Sequence, residues 1–385
     1  EIIRYNHFDK VFTDSVIYAA LIITPNTRKA PAYVLLPNGK DLEEKWMGYY
    51  RTCLQFDIPD KESYRNFWQP IAVKINSLTK QQDSKDIKIY LSSEGVYNQL
   101  NLEAIPVEDG QYVIDLNNII LLTNTKDLLN RSKKVRQEEV SGEAVLMGNP
   151  VFYPDLKESE YNAYTSRPVT QLPGTFKEVE ELSKLLNKDG LQPSVYTHLK
   201  ATEEKMRTLK SPEILHVATH GFFIADETVQ EDDATGLAQE KEVVNPLYRS
   251  GLLLKDAGEL LEADNPYAYN RKDGVLTAFE AMSLNLDNTK LVVLSACETG
   301  RGDSKVGDGV YGLQRAMLVA GAKALIMSLF EVSDEATQQL MINFYRNWIE
   351  KKMNKREAFI EAKKELRRQF PEPKYWGAFI MVGAA

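Results

Sequence analysis

The sequence contains the apolar stretch Ile214-Leu-His-Val-Ala-Thr-His220 and, further along, the stretch Leu291-Val-Val-Leu-Ser-Ala-Cys297. Each has the length and the aliphatic, β-branched composition of a strand that is buried on both faces of a parallel sheet. Each also ends in a reactive side chain, an imidazole in the first and a thiol in the second. Because open parallel sheets carry their functional groups at the carboxyl ends of the strands, these stretches predict a site at one rim of such a sheet.

The sequence around these two stretches alternates between strand and helix patterns from residue 144 onward. This alternation is typical of a parallel sheet sandwiched by helices, so an α/β fold is predicted. Two Thr-x-x-Glu patterns predict capping boxes at helix N-termini, beginning at Thr175 and Thr277, and Thr202 is a further expected N-cap. Further strands are expected at 144–150, 194–197, 324–330 and 377–382.

The first third of the chain has a different pattern, with a predicted hairpin at 15–37, a helical region at 41–79 and a strand at 87–91. A charged connector without apolar periodicity follows, from Arg131 to Gly142. We therefore expect a domain boundary there, with domains at 1–140 and 143–385.

Composition excludes several classes of protein. The 385 residues are 43% hydrophobic and 26% charged, enough to bury one or two cores, which excludes both intrinsic disorder and a disulfide-stapled mini-domain. The net charge of −8 has the wrong sign for a protein that binds nucleic acid directly. No apolar run approaches the roughly 18 residues of a membrane span. We expect a cytoplasmic protein, and the start at Glu1 suggests a module cut from a longer chain.

Cys297 and His220 have the chemistry of a nucleophile and its base if their strands are neighbours. A nearby imidazolium can lower the thiol pKa from about 8.5, and the imidazole can carry a proton to the leaving amine. The backbone N–H groups of Cys297 and Gly221 are the expected oxyanion donors. This chemistry uses neither a metal ion nor a cofactor.

Each of these residues also has an ordinary structural interpretation. A cysteine that closes an apolar strand is more often a core residue, and a single histidine is usually structural. We expect His216 to have a packing or supporting role, and His7, His198 and Cys53 to be structural.

Three longer stretches carry a family resemblance: Leu215-His-Val-Ala-Thr-His-Gly-Phe-Phe223, Leu294-Ser-Ala-Cys-Glu-Thr-Gly300 and Gly309-Val-Tyr-Gly-Leu-Gln-Arg-Ala316. Shorter matches lie in the expected order at Glu94-Gly95, Gly148-Asn-Pro150, Leu172-Pro-Gly174, Gly274-Val-Leu-Thr277, Val332-Ser-Asp-Glu-Ala-Thr337 and Trp376-Gly-Ala-Phe379. Together they strongly resemble the CHAT family, caspase-like cysteine proteases that are often fused to tetratricopeptide repeats.

The resemblance implies a caspase-like fold in which His220 is the general base and acid, Cys297 the nucleophile and Gly221 an oxyanion donor. CHAT proteins are similar to separases, which implies that the first domain is a degenerate, inactive protease-like α/β domain. The same similarity makes Asp334 the candidate for binding a substrate arginine through a charge-assisted bond, although an aspartate there also suits a helix cap. The implied function is cleavage of a protein partner after Arg, or less readily Lys.

The family implies that activity is gated by an attached or bound sensor, such as a repeat domain, in bacterial antiphage defence or cell death. The acidic segment 224–273 is expected to be a solvated loop or a region that steers basic substrates. The similarity to caspases makes Arg249 a candidate processing point. Two alternatives stay open: a catalytically inactive scaffold for protein binding, and an esterase or acyltransferase that uses Cys297.

Overall fold

The computed structural model describes residues 2–6, 11–79, 87–108, 110–126, 128, 142–163, 167–223, 246–248, 250–262, 274–298, 308–331 and 333–383. The chain forms two compact units. The first comprises Glu1–Asn130 and Leu366–Ala378, and the second comprises Arg131–Glu365 and Phe379–Ala385. The short segment 366–378 thus folds with the first unit, although its place in the sequence had suggested the second domain. The charged connector lies outside the described residues except for Gly142.

The elements of the described chain are numbered in order. The strands are β1 Ile2–Asn6, β2 Val11–Ile22, β3 Ala32–Leu36, β4 Lys88–Ser92, β5 Asn118–Leu122, β6 Ala144–Pro150, β7 Ser194–His198, β8 Ile214–Phe223, β9 Ser250–Leu253, β10 Val275–Thr277, β11 Leu291–Glu298, β12 Ala324–Ser328 and β13 Phe379–Gly383. The helices are α1 Gly39–Asp41, α2 Met47–Phe56, α3 Gln69–Thr79, α4 Val113–Leu116, α5 Pro173–Lys188, α6 Glu203–Arg207, α7 Ala257–Glu262, α8 Ala278–Ala281, α9 Asp308–Val319, α10 Asp334–Tyr345, α11 Lys355–Gln369 and α12 Pro373–Trp376.

The first unit contains the antiparallel sheet β1-β2-β3 and the parallel pair β4-β5. Its apolar core includes Phe67 and Trp68, both almost fully buried. The segment 366–378 adds Trp376, which is fully buried with its ring edge-on to Tyr112 at a centroid distance of 4.8 Å. The predicted hairpin is confirmed as β2 and β3.

The second unit contains a sheet in the order β7-β6-β8-β11-β12-β13. The first five strands are parallel, and β13 runs antiparallel to β12. Every residue of β6 and β12 is buried, so helices and loops cover both faces of the sheet there. The predicted α/β fold with a mainly parallel sheet is confirmed.

Strand β8 is longer than the sequence suggested. The sequence predicts a strand over 214–220, but β8 continues to Phe223 and pairs antiparallel with β9, with Gly221 opposite Leu252. Since β9 pairs with β10, a small antiparallel extension lies beyond the carboxyl end of the parallel sheet.

Two of the three predicted helix caps are confirmed. Thr277 caps α8 with a complete capping box, and Thr202 accepts a hydrogen bond from the backbone N–H of Lys205. The predicted box at Thr175 is wrong because α5 already begins at Pro173, a residue suited to the first turn. Glu178, the acid of that pattern, is instead buried in the core.

Candidate active site

Strands β8 and β11 are parallel neighbours, and their register brings positions 220 and 297 side by side. The pairing runs without a shift from Leu291 opposite Ile214 to Glu298 opposite Gly221. Residues in register on adjacent strands project to the same face of a sheet. The two sequence-predicted catalytic positions therefore share one face at the carboxyl ends of the two central strands. The side chain of Cys297 itself lies outside the described part of the chain.

The imidazole of His220 is 7% exposed and is held on one edge by a backbone carbonyl. Its Nε2 lies 2.8 Å from the carbonyl oxygen of Thr170. A carbonyl can only accept a hydrogen bond, so Nε2 carries the proton and the neutral ring keeps its lone pair at Nδ1. The ring of Phe152 packs against the imidazole, with centroids 5.2 Å apart.

Burial lowers the pKa of His220 below the usual 6.5, although the Thr170 carbonyl and the Asp334 carboxylate both act to raise it. Desolvation disfavours the charged imidazolium, while a nearby anion favours it. His220 is consequently neutral at pH 7 and able to accept a proton.

Asp334 lies close to His220, at the beginning of α10. Its Cβ packs so closely on Gly174 that a Cβ added to this glycine would lie only 2.8 Å away. Gly174 belongs to the first turn of α5, so the N-termini of two packed helices meet beside the imidazole. The expected alternative, that Asp334 caps α10, is not what the helix shows, because the N-cap is Ser333.

Gly221, the expected oxyanion donor, lies within β8 rather than after its end. It is in register with Glu298 on one side and with Leu252 of β9 on the other. The glycine follows His220 directly, so its backbone lies at the same rim as positions 220 and 297.

His216 is fully buried on the same face of β8 as His220. It forms a hydrogen bond between Nε2 and Oε1 of Glu178 at 2.7 Å, and its Nδ1 lies 3.3 Å from the hydroxyl of Tyr345. Ser295 of β11 donates to the other oxygen of Glu178 at 3.1 Å. This buried cluster ties β8 and β11 to α5 and α10, which agrees with the packing or supporting role expected for His216.

The remaining predicted residues have no observed contact with His220, or they lie outside the described residues. Cys53 is buried in α2 of the first unit. Burial raises the pKa of its thiol, so the thiol stays protonated at neutral pH, which agrees with the structural role expected for it. His198 stacks on the ring of Phe176 with centroids 4.9 Å apart. His7, Arg249 and most of the acidic segment 224–273 lie outside the described residues.

A model of the CHAT domain matches residues 61–384 of the chain. The chain belongs to the CHAT domain family. This membership agrees with the mainly parallel sheet and with the rim where His220 and Cys297 are in register. The family is one of caspase-like cysteine proteases, so the resemblance seen in the sequence is confirmed.

The curated relatives of this CHAT domain are tetratricopeptide repeat proteins. It is 28% identical to tetratricopeptide repeat protein 28 of Homo sapiens over 303 residues, which cover 76% of this chain and 11% of that protein. The protein of the same name from Mus musculus is 28% identical over 219 residues, covering 55% of this chain and 9% of the other. The chain thus spans about a tenth of the length of these relatives.

Among solved structures, the CHAT domain is similar to the crystal structure of the Arg specific cysteine proteinase gingipain R. The two share 10% sequence identity with a TM-score of 0.48, over 90% of this chain and 75% of the other.

Two classes of feature are absent from the described residues. No helix there is both long and apolar enough to span a membrane. No group of three or more His, Cys, Asp or Glu residues in that part of the chain is arranged to hold a metal ion.

Sequence reasoning missed two groups of the described chain that contact the imidazole directly. Thr170 acts through its carbonyl, which every residue type has, so no sequence signal marks it. Phe152 lies two residues after the family match Gly148-Asn-Pro150. That match marked the segment but did not indicate that Phe152 contacts His220.

Proposed function

We propose that the second unit is a cysteine endopeptidase with a His220–Cys297 dyad. The observation that carries the proposal is the register of β8 and β11 together with the bond from His220 Nε2 to the Thr170 carbonyl. The register favours a thiol and an imidazole at one rim. The carbonyl bond favours the tautomer whose free Nδ1 can take the thiol proton.

The reaction follows from these roles. Nδ1 of His220 accepts the proton of the Cys297 thiol, and the thiolate attacks the peptide carbonyl carbon to form a C–S bond. The oxyanion is stabilised by backbone N–H groups, of which those of Gly221 and Cys297 are the proposed donors. When the C–N bond breaks, the imidazolium gives its proton to the leaving amine. Water then hydrolyses the thioester and restores the thiol.

Specificity for a basic residue before the cut bond is proposed to come from Asp334. Its carboxylate is half-buried and close enough to His220 to raise the imidazole pKa, so it belongs to the neighbourhood of the reacting atoms. A carboxylate in such a setting forms charge-assisted, bidentate bonds with the guanidinium of arginine and a weaker contact with lysine.

Control by a sensor is part of the proposal. The curated relatives are tetratricopeptide repeat proteins of which this chain spans about a tenth, which supports a repeat or other protein partner as the gating element. A protein substrate, a cytoplasmic location and a role in bacterial defence or cell death stay predictions, and the relatives found in human and mouse do not bear on them.

Fluorogenic peptides that end in Arg, Lys, Asp or Leu test the activity, together with an arginyl chloromethyl ketone that labels a reactive thiol. We expect cleavage after Arg, weaker cleavage after Lys, and a mass increase from one label. Cys297→Ala and His220→Ala should abolish both signals. The matched control is Cys53→Ala, because this other cysteine is buried in the first unit and should not contribute.

The same experiment separates the alternatives. Hydrolysis of an arginyl ester without cleavage of any peptide would favour an esterase. Absence of both labelling and cleavage in the unaltered protein would favour an inactive scaffold and contradict the proposal.

A further inference from the structure

Two buried amide side chains near the proposed dyad take no part in the chemistry described so far. Asn149 and Gln171 are both fully buried. A buried amide is costly unless its oxygen and nitrogen both have partners, so the partners of these two side chains indicate what they hold in place.

Gln171 follows Thr170, whose carbonyl accepts the hydrogen bond from His220. The Gln171 oxygen accepts a bond from the backbone N–H of Phe152 at 3.2 Å, and its nitrogen donates to the carbonyl of Pro150 at 3.0 Å. One side chain therefore joins the two segments that contact the imidazole, one through a carbonyl and the other through the Phe152 ring.

Asn149 fixes the other end of the same segment. Its oxygen accepts a bond from the backbone N–H of Leu172 at 3.2 Å, and its nitrogen donates to the carbonyl of Tyr161 at 2.8 Å. Asn149 has a positive φ of 46°, a conformation that asparagine tolerates better than most residues. Residues 170–172 belong to no helix or strand, so these side-chain bonds supply much of their support.

We propose that Gln171 and Asn149 are positioning residues that set the tautomer and orientation of His220 by holding the carbonyl of Thr170. The inference rests on the proposed cysteine peptidase function. A displaced carbonyl would release Nε2 and allow the proton to move to Nδ1, the atom that must accept the proton of the thiol. The loss would appear in the rate of the chemical step rather than in substrate binding.

The test replaces Gln171 by Met, which has a similar length but forms neither hydrogen bond. Long-range ¹H–¹⁵N NMR of protein labelled with ¹⁵N-histidine reports the tautomer, with the His220 signal assigned by its loss in His220→Gln. We expect the Nε2–H tautomer in the unaltered protein and a substantial Nδ1–H fraction in Gln171→Met. We also expect kcat to fall about 100-fold with little change in KM. Asn149→Gly, which lacks the amide but tolerates the positive φ, should have the same effects.

The matched control is Asn101→Leu, since Asn101 is another buried amide, with bonds to the backbone of Glu103 and Gly377 in the first unit. It should lower the melting temperature without changing the His220 tautomer. Gln171→Glu retains the acceptor for the Phe152 N–H and is measured in the same way if Gln171→Met does not fold; it should shift the tautomer less.

An unchanged His220 tautomer in the Gln171 and Asn149 variants, with only the stability loss of the control, would overturn the inference. The tautomer comparison needs no catalytic activity. A protein that neither cleaves a peptide nor takes the chloromethyl ketone label would therefore contradict the proposed function, while the tautomer comparison could still support or reject the positioning role.

Discussion

His220 has a carbonyl oxygen, not a carboxylate, as its hydrogen-bond partner. A carbonyl orients the ring without adding a full negative charge, so burial dominates and the pKa stays below 6.5. The carboxylate of Asp334 acts from a distance and partly offsets this effect.

This environment predicts the titration of His220. In Cys297→Ala, where no thiolate can form, NMR titration should give a midpoint below 6.5. The folded state then binds the proton less readily than the unfolded chain, so this group's contribution to stability is full above pH 6.5 and is lost as the pH falls through the folded-state pKa. A titration midpoint at or above 6.5 would contradict the inference that burial keeps the His220 imidazole neutral at pH 7.

The role of Asp334 can be separated from its effect on His220. Replacing Asp334 by Asn should lower kcat/KM for an Arg peptide about 10- to 100-fold, because a charge-assisted bond of 1.5–3 kcal/mol is lost. For a peptide in which neutral citrulline replaces the arginine, kcat/KM should be almost the same in Asp334→Asn as in the unaltered protein. Glu335→Gln, a change of the exposed neighbouring acid, is the control. Equal losses for both peptides would instead indicate an effect through the imidazole.

Only part of the site could be predicted at this scale. The adjacent positions of His220 and Cys297 could be predicted because each residue ends an apolar strand, and the register of β8 and β11 confirms that adjacency, while the catalytic roles stay predictions. The bond between Glu178 and His216 joins residues 38 positions apart, and no local pattern reports such a pairing.

At the scale of elements, α5 and α10 line the space beside the proposed dyad. Each begins at the rim, and Gly174 of α5 leaves room for Asp334 of α10. Helix N-termini also favour nearby negative charge, which suits a thiolate or an oxyanion.

Gly174→Ala should therefore disturb the site. The added Cβ would lie 2.8 Å from Asp334 Cβ, so one helix must shift, and we expect the free energy of unfolding to fall by about 1–3 kcal/mol. Gly48→Ala is the matched control, because Gly48 is helical and nothing lies within 4 Å of its added Cβ. It should raise the free energy of unfolding by about 0.5–1 kcal/mol. Urea unfolding measures the free energy of unfolding of both variants. An unchanged value for Gly174→Ala would show that the two helices can shift apart at little cost.

Elements were predictable where the local signal agreed with the fold. Long buried strands such as β6 and β11 were found from composition alone. Strand β5 was not assigned because a short apolar run without alternation does not distinguish strand from helix. The Thr-x-x-Glu pattern succeeded at Thr277 but failed at Thr175, where Pro173 had already started the helix.

At the scale of the whole molecule, the first unit depends on a segment from far along the chain. Trp376 is fully buried there, and Asn101 donates a hydrogen bond to the carbonyl of Gly377 at 2.7 Å. Arg367 forms a bidentate pair with Asp115 at 2.7 and 2.9 Å. No sequence pattern assigned this segment to the first unit, because its contacts are made more than 250 residues away along the chain.

A fragment of residues 1–130 should consequently fail to form a stable fold alone, since burial of Trp376 and the pair with Arg367 would be lost. Adding a peptide of residues 366–378 should restore cooperative thermal unfolding, measured by circular dichroism. The same peptide with Trp376→Ala is the control and should restore much less. Cooperative unfolding of the fragment without any peptide would show that the segment is dispensable.

The chain passes between the two units three times, after residues 130, 365 and 378. Each unit is built from two separate stretches of the chain. A single recombination event therefore cannot exchange one unit, as it can exchange a domain that is continuous in sequence. A gene fusion that moves either unit intact to a new host protein must therefore carry both units in one continuous stretch. Because the backbone crosses between the units three times, we expect the two units to be inherited together.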